Sequence, residues 1–315
     1  MRRFWQKGMI ALARSSRLKH FMQSNRGASK LATRYVGGDN VVEALDCANR
    51  LSRSNIRSSL FYLGEYVDTH ELVDRNITSI NRAIDMISLS ELDGHLSVDP
   101  TQVGCSIDWD KGAAAFWPIA EALKKAVGER DGVHCLMIDM EDDSVVERTV
   151  ALYHALHADG YPVALTLQAY LKHTEGDLEK VIRQGGKVRL VKGAFVAGSD
   201  IAHVGNAAVK ANYYRLVDRM LSKEALEYGF YPIFATHDHE IHGYAIETAR
   251  ANGWPQCSYE IEMLYGARDD VAEELSAHGE RVRLYLPFGA DWWPYAIRRI
   301  GENPKNLNLL LRSLI

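Results

Sequence analysis

At 315 residues, 47% of them hydrophobic, the chain is long enough to bury a large core, as two modest domains or as one α/β barrel with a short extension. A formal net charge of −4 gives no electrostatic case for nucleic acid, and no apolar run approaches the roughly 20 residues that span a bilayer. The cysteines Cys47, Cys105, Cys135 and Cys257 stand far apart, without CxxC or zinc-type spacing, which fits free thiols in a reducing, cytoplasmic setting.

The chain opens on an unusual charge pattern. No Asp or Glu precedes Asp39, whereas Arg2, Arg3, Lys7, Arg14, Arg17, Lys19, Arg26, Lys30 and Arg34 do. Phe4, Trp5, Met9, Ile10, Leu12 and Ala13 leave an apolar face opposite the basic one. Three readings follow, in order of preference: a helical arm on the outside of the main domain, a peripheral contact with anionic lipid at the inner face of the membrane, and a cleaved transit peptide.

Residues 41–53 read as a helix, and β-rich runs then alternate with helical spacers. Strands are expected near 59–66, 95–103, 133–139, 162–168, 187–191, 232–236, 258–263 and 281–286. Helical periodicity marks 143–157, 177–184, 206–226, 242–252 and 267–278. Repeated strand–helix units over about 250 residues indicate a (β/α)8 TIM-type barrel more readily than an open sheet. No GxGxxG follows the first strand, which argues against a dinucleotide-binding Rossmann domain. The expected organisation is a helical N-terminal arm over 1–57 and a barrel catalytic domain over 58–315.

Barrel active sites gather at the C-terminal ends of the strands, so the polar residues closing each apolar run are the candidates. They are Glu65, Asp99, Asp139 with Glu141, Gln168 with Tyr170, Arg189 with Lys192, the run His237, Asp238 and His239, Glu262 beside Leu264, and Tyr285. After the last strand a helix opens with Asp291 as N-cap and Pro294 in its first turn. Tyr295, Arg298, Arg299 and Glu302 share one face of it at i, i+3, i+4 and i+7. Two adjacent arginines there form a fork for a carboxylate or phosphate, with Glu302 placed to hold one of them. Each residue also has a plain structural reading: a carboxylate tethering a loop, a rim cation, a solvated basic turn. His237 and His239, with Asp139 and Glu141, would suit a metal-dependent barrel hydrolase, although such clusters are more often hydrogen-bonded structure or cofactor contact.

The motifs, in order, resemble the proline dehydrogenase family. Leu63-Gly64-Glu65 is similar to its first-strand motif, Ile138-Asp139-Met140-Glu141 to the third and Gln168-Ala169-Tyr170-Leu171 to the fourth. Arg189-Leu190-Val191-Lys192-Gly193-Ala194-Phe195 resembles the fifth, Phe234-Ala235-Thr236-His237-Asp238 the sixth, and Tyr259-Glu260-Ile261-Glu262-Met263-Leu264-Tyr265-Gly266 the seventh. The final tyrosine, two arginines and glutamate match its last helix. Residues 32–36 look like the family's pre-barrel segment, which leaves little room for a removable leader.

The resemblance implies an FAD enzyme that oxidises the C–N bond of L-proline to 1-pyrroline-5-carboxylate, passing electrons to a quinone or to dioxygen. It implies Arg189 at the flavin N5 edge and Gln168 on the pyrimidine side, with Lys192, Gly193, Ala194, Thr236, His237, Glu262 and Glu302 around the cofactor and no metal. Arg298 and Arg299 would clamp the substrate carboxylate, Glu65 would pair with Arg298, Tyr285, Tyr295 and Leu264 would wall the ring, and Asp139 would sit behind the clamp. The chain departs from the pattern where the family's second strand ends in a lysine, which is here Asp99. Lesser changes are Phe195 for a tyrosine and Glu262 for a glutamine. Asp99 opens the alternative of a different small amino, imino or hydrazino acid as substrate.

Overall fold

The computed structural model describes residues 34–64, 67–195 and 197–295; most of the basic arm, residues 1–33, lies outside them. Eight parallel strands close into a barrel in sequence order: β1 (Ile56–Tyr62), β2 (His95–Val98), β3 (Cys135–Ile138), β4 (Val163–Gln168), β5 (Lys187–Val191), β6 (Tyr231–Ala235), β7 (Glu260–Leu264) and β8 (Val282–Phe288). Closure is made by β8 on β1, in register from Ile56 opposite Val282 to Tyr62 opposite Phe288. Around the barrel run α1 (Val41–Ser52), α2 (His70–Ser88), α3 (Trp109–Ala114), α4 (Phe116–Val127), α5 (Val146–Ala158), α6 (Thr174–Arg183), α7 (Asn206–Met220), α8 (Lys223–Glu227), α9 (His239–Ala251) and α10 (Asp269–Ala277). None of these helices is long and apolar enough to cross a membrane.

The period-two alternation of the strands sorts the core into two compartments. Leu60, Leu96, Val98, Leu136, Ile138, Leu165, Leu167, Val188, Leu190 and Phe234 are buried in one cluster with the helix residues Ile80, Ile84, Phe116 and Leu123. Their alternate neighbours fill the barrel. Among them Cys135, Met137, Ala164 and Ile233 form a separate apolar cluster. Interleaved with it stand buried polar groups: Ser59, His95, Ser97, Arg189, Glu260, Glu262 and Arg283.

Several element ends differ from expectation, each for a local reason. Strand β1 begins at Ile56, straight after Asn55 in the left-handed region at φ 56°, and it ends at Tyr62. Strand β2 stops at Val98, because Pro100 has no N–H for the ladder; a 3-10 turn, Pro100–Val103, follows and ends on Gly104 at φ 100°. The helix expected over 206–226 is two, since Ser222 starts a new one by accepting from the Ala225 amide at 3.1 Å. Helix α9 begins at His239, three residues early, because Asp238 caps it through the Glu240 amide at 3.2 Å.

The lower half of the barrel is held by Arg283. Its Nε donates to Glu260 Oε2 at 2.6 Å, Nη2 to Glu260 Oε1 and to Asp93 Oδ2 at 2.7 Å each, and Nη1 to the Ser58 carbonyl at 2.8 Å. Both Arg283 and Glu260 are fully buried. A buried pair that loses one member leaves an uncompensated charge. Glu260→Gln is therefore expected to cost about 3 kcal/mol in urea denaturation; a loss under about 1 kcal/mol would show that the fork is dispensable.

Candidate active site

Strand β5 places Arg189 inside the barrel because its neighbours Val188 and Leu190 face the helices. Only 3% of Arg189 is exposed, so its guanidinium must find protein partners for all its donors. Its acceptors come from four strands, β1, β2, β3 and β7. Nε donates to Glu262 Oε2 at 2.9 Å, and Nη2 approaches Glu262 Oε1 at 2.8 Å. Nη1 meets Asp139 Oδ1, while Nη2 also reaches Ser59 Oγ at 3.1 Å and Ser97 Oγ at 3.0 Å. The Tyr285 ring lies 5.2 Å from the guanidinium carbon, and the Tyr285 hydroxyl donates to Asp139 Oδ2 at 3.0 Å. Thr166 Oγ1 donates to Asp139 Oδ1, also at 3.0 Å.

The electrostatics follow from this packing. Burial alone would push the Arg189 pKa down, but Glu262 and Asp139 outweigh it and the group is held firmly charged. Glu262 moves the other way: burial raises it, and Arg189 only partly offsets that. The Tyr285 phenol is pushed well up by burial and by the charges of Asp139 and Asp99.

Above this floor the loops at the strand ends form a rim. Gln168, buried at 2% exposure, donates from Nε2 to the Glu141 carbonyl at 3.1 Å, while its Oε1 finds no donor among the described residues. Gly193, at φ 91°, follows β5 in a conformation that disfavours a side chain. Lys192 Nζ lies 2.8 Å and Lys210 Nζ 3.0 Å from Asp238 Oδ2. Burial would raise the Asp238 pKa, yet the two lysines bring it down to about 2. The Thr236 hydroxyl accepts from the Asp238 amide at 3.2 Å, and His237 Nε2 accepts from the Leu264 amide at 3.4 Å. Ala194 is exposed, Leu264 half-buried and Tyr295 buried, the last in a helical turn at 293–295.

Asp99 stands half-buried at the end of β2. Gln102 Oε1 accepts from its amide at 2.9 Å, and Asn76 Nδ2 ties the Gln102 carbonyl to that of Gly64 at 3.0 and 2.9 Å. The turn that carries Asp99 is fixed on its other side by Glu141, whose carboxylate takes the Thr101 amide at 3.0 Å and its hydroxyl at 2.6 Å.

The structure thus joins Arg189, Asp139, Glu262 and Tyr285 in one cluster, with Gln168, Lys192, Gly193, Thr236 and His237 on the rim above. Glu65, Arg298, Arg299 and Glu302 lie outside the described residues. The metal reading fails: Asp139 is bound to Arg189, Glu141 to Thr101, and no three or more His, Cys, Asp or Glu side chains among the described residues could hold an ion. Ser59, Ser97, Thr166 and Lys210 were not legible as site residues. Small hydroxyl side chains at inward positions of β1, β2 and β4 were the only signal for the first three.

The proline dehydrogenase family model matches residues 44–312. The chain belongs to the proline dehydrogenase family. Proline dehydrogenase of Deinococcus radiodurans is 31% identical over 287 residues and proline dehydrogenase 1 of Bacillus subtilis subsp. natto 30% identical over 287, each match covering 90% of both chains. Among solved structures, proline utilization A of Bdellovibrio bacteriovorus superposes with a TM-score of 0.76 at 19% identity, over 88% of this chain and 33% of that one. This proline dehydrogenase family member therefore spans about a third of that larger protein, and the likeness bears on the barrel fold alone.

In this family member Gly193 is a rim position with no room for a side chain. A Cβ there would stand 2.1 Å from Tyr170 Cδ1, on a backbone that L-residues rarely adopt. Gly193→Ala is expected to lower stability by at least about 1 kcal/mol in thermal or urea denaturation; an unchanged midpoint would show that the β5 end rearranges freely.

Proposed function

We propose that the chain binds FAD at the C-terminal mouth of the barrel and oxidises the C–N bond of a small amino or imino acid, with L-proline first among candidates and 1-pyrroline-5-carboxylate as its product. The observation that carries this reading is the Arg189 cluster, a buried ionic floor with a polar rim, in a chain of this family. Bound FAD would supply the hydride acceptor, and dioxygen or a quinone would take the electrons onward.

The residues present fit such a cofactor. Gln168 Oε1 is a buried acceptor with no donor among the described residues, and buried acceptors ordinarily have one; the imide N–H of a flavin suits it. Gln168, Lys192, Gly193, Ala194, Thr236 and His237 would hold the group, with the two lysines at Asp238 offering positive charge to phosphates. Arg298 and Arg299, backed by Glu65, would bind the substrate carboxylate and fix the orientation of the donor carbon. Tyr285, Tyr295 and Leu264 would exclude water, which hydride transfer requires. Within the floor Arg189 donates to Glu262, Asp139, Ser59 and Ser97, so part of its role is to hold Asp139 and Glu262 in place beneath the reaction. The purified protein is expected to show a flavin band that L-proline bleaches under anaerobic conditions. A colourless protein would overturn the cofactor assignment, and a flavin band indifferent to proline the substrate.

A second reading rests on Asp99. It is held at the mouth by the Gln102 contact, and its charge bears on Tyr285. A carboxylate there favours a substrate with an additional N–H donor, such as a hydrazino acid, over proline. On this reading Asp99→Lys raises kcat/KM for L-proline by about tenfold or more, the scale of one favourable charge contact. Loss of all proline turnover in that variant, with folding and flavin retained, would sink it.

A further inference from the structure

Glu262 touches Arg189 twice, at Nε and Nη2, and Asp139 takes Nη1. Ser59 and Ser97 occupy what remains of Nη2. The guanidinium is therefore fixed in orientation by acceptors on four strands. It is also over-compensated, since two carboxylates face one cation, a formal balance of −1. Glu262 is 2% exposed and Arg189 3%, so solvent does little to screen this balance. From the other elements packed around it the cluster meets the Thr166 hydroxyl, the Tyr285 ring and hydroxyl, and more distantly the Arg283–Glu260 fork.

We propose that Glu262 is a positioning residue that locks Arg189 and cancels its charge, so that the floor of the barrel mouth is electrostatically neutral to anionic rather than cationic. This rests on the flavin reading of the mouth. An arginine with no carboxylate partner would present a cation to a bound flavin and favour its reduced, anionic form. One carboxylate removes that bias, and the second reverses it. The consequence is a lower flavin midpoint potential and weak affinity for anions that add to the flavin, such as sulfite.

The test uses the purified protein with the flavin it carries, and compares it with Glu262→Gln, which keeps shape and hydrogen bonding but removes one negative charge. The expected result is a sulfite dissociation constant lower by about tenfold or more, the scale of removing one negative charge, and a midpoint potential shifted in the positive direction. A sulfite constant within about twofold of the parent, in a variant with an unaltered melting curve, would overturn the proposal. A second measurement needs no flavin. Arg189→Met leaves two buried carboxylates facing each other, so adding Glu262→Gln to Arg189→Met should raise the melting temperature of that variant instead of lowering it. Two losses that simply add would overturn the pairing. Absence of flavin from the parent spectrum would count against the cofactor reading, and the melting series would still decide the pairing.

Discussion

One buried guanidinium organises this barrel. Taking Arg189 out of water costs several kcal/mol unless every donor lands on an acceptor, and the acceptors come from β1, β2, β3 and β7, with Tyr285 of β8 beneath the charge. Strand register is thereby tied to electrostatics. A one-residue slip in any of these strands would turn an acceptor towards the helices and leave part of the guanidinium unsatisfied. Arg283 repeats the device lower down with Glu260 and Asp93. Barrel interiors are ordinarily filled by branched aliphatic side chains, and here a small apolar cluster of Cys135, Met137, Ala164 and Ile233 stands in register with the charged groups.

The rim inherits its rigidity from this floor. Asp139 is fixed by Arg189, Thr166 and Tyr285, and Glu141, two residues later, holds the turn that presents Asp99 while its carbonyl orients Gln168. A chain of contacts therefore runs from the barrel centre to the mouth without leaving well-packed strand ends. The loops after β5 and β6 are joined separately, by Asp238 between Lys192 and Lys210. Placement on strand ends, with loops tied to one another, is how a site keeps the tight geometry that oriented reactants demand.

Much of the fold was legible because alternation is a strong signal when one face of each strand meets helices and the other a polar interior. The eight runs, their order and the polar residues that close them followed from it. The pairings did not. Arg189 and Glu262 are 73 residues apart, and Arg189 and Asp139 are 50; no spacing rule reaches across a barrel. Sequence reasoning accordingly gave Arg189, Asp139 and Glu262 separate roles, whereas they form a single cluster. Element ends were misread where one residue governs: Pro100 stops β2, Ser222 splits a helix, and Asp238 starts one early. The histidine run looked like a ligand set because its neighbours in sequence are polar, yet His242 Nε2 pairs with the Thr236 carbonyl at 2.8 Å and His237 with the Leu264 amide.

Charge balance at the mouth constrains what can bind there. In the buried floor Asp139 and Glu262 face Arg189, two formal negative charges against one positive, a balance of −1, while on the rim Lys192 and Lys210 flank Asp238. Tyr285 stays neutral, its phenol pushed well above the usual range. On the proposed function a substrate carboxylate would need cations of its own; Lys192 and Lys210 are engaged with Asp238, and Arg298 and Arg299, outside the described residues, have the chemistry for it. The nitrogen end of a substrate so held would face the acidic side. Asp139 and Glu262 are committed to Arg189, and Asp99 stands at the end of β2 with its amide held by Gln102. On the second reading of the function, the choice of substrate would turn on Asp99, and proline, with one ring nitrogen, asks less of it than a compound carrying two.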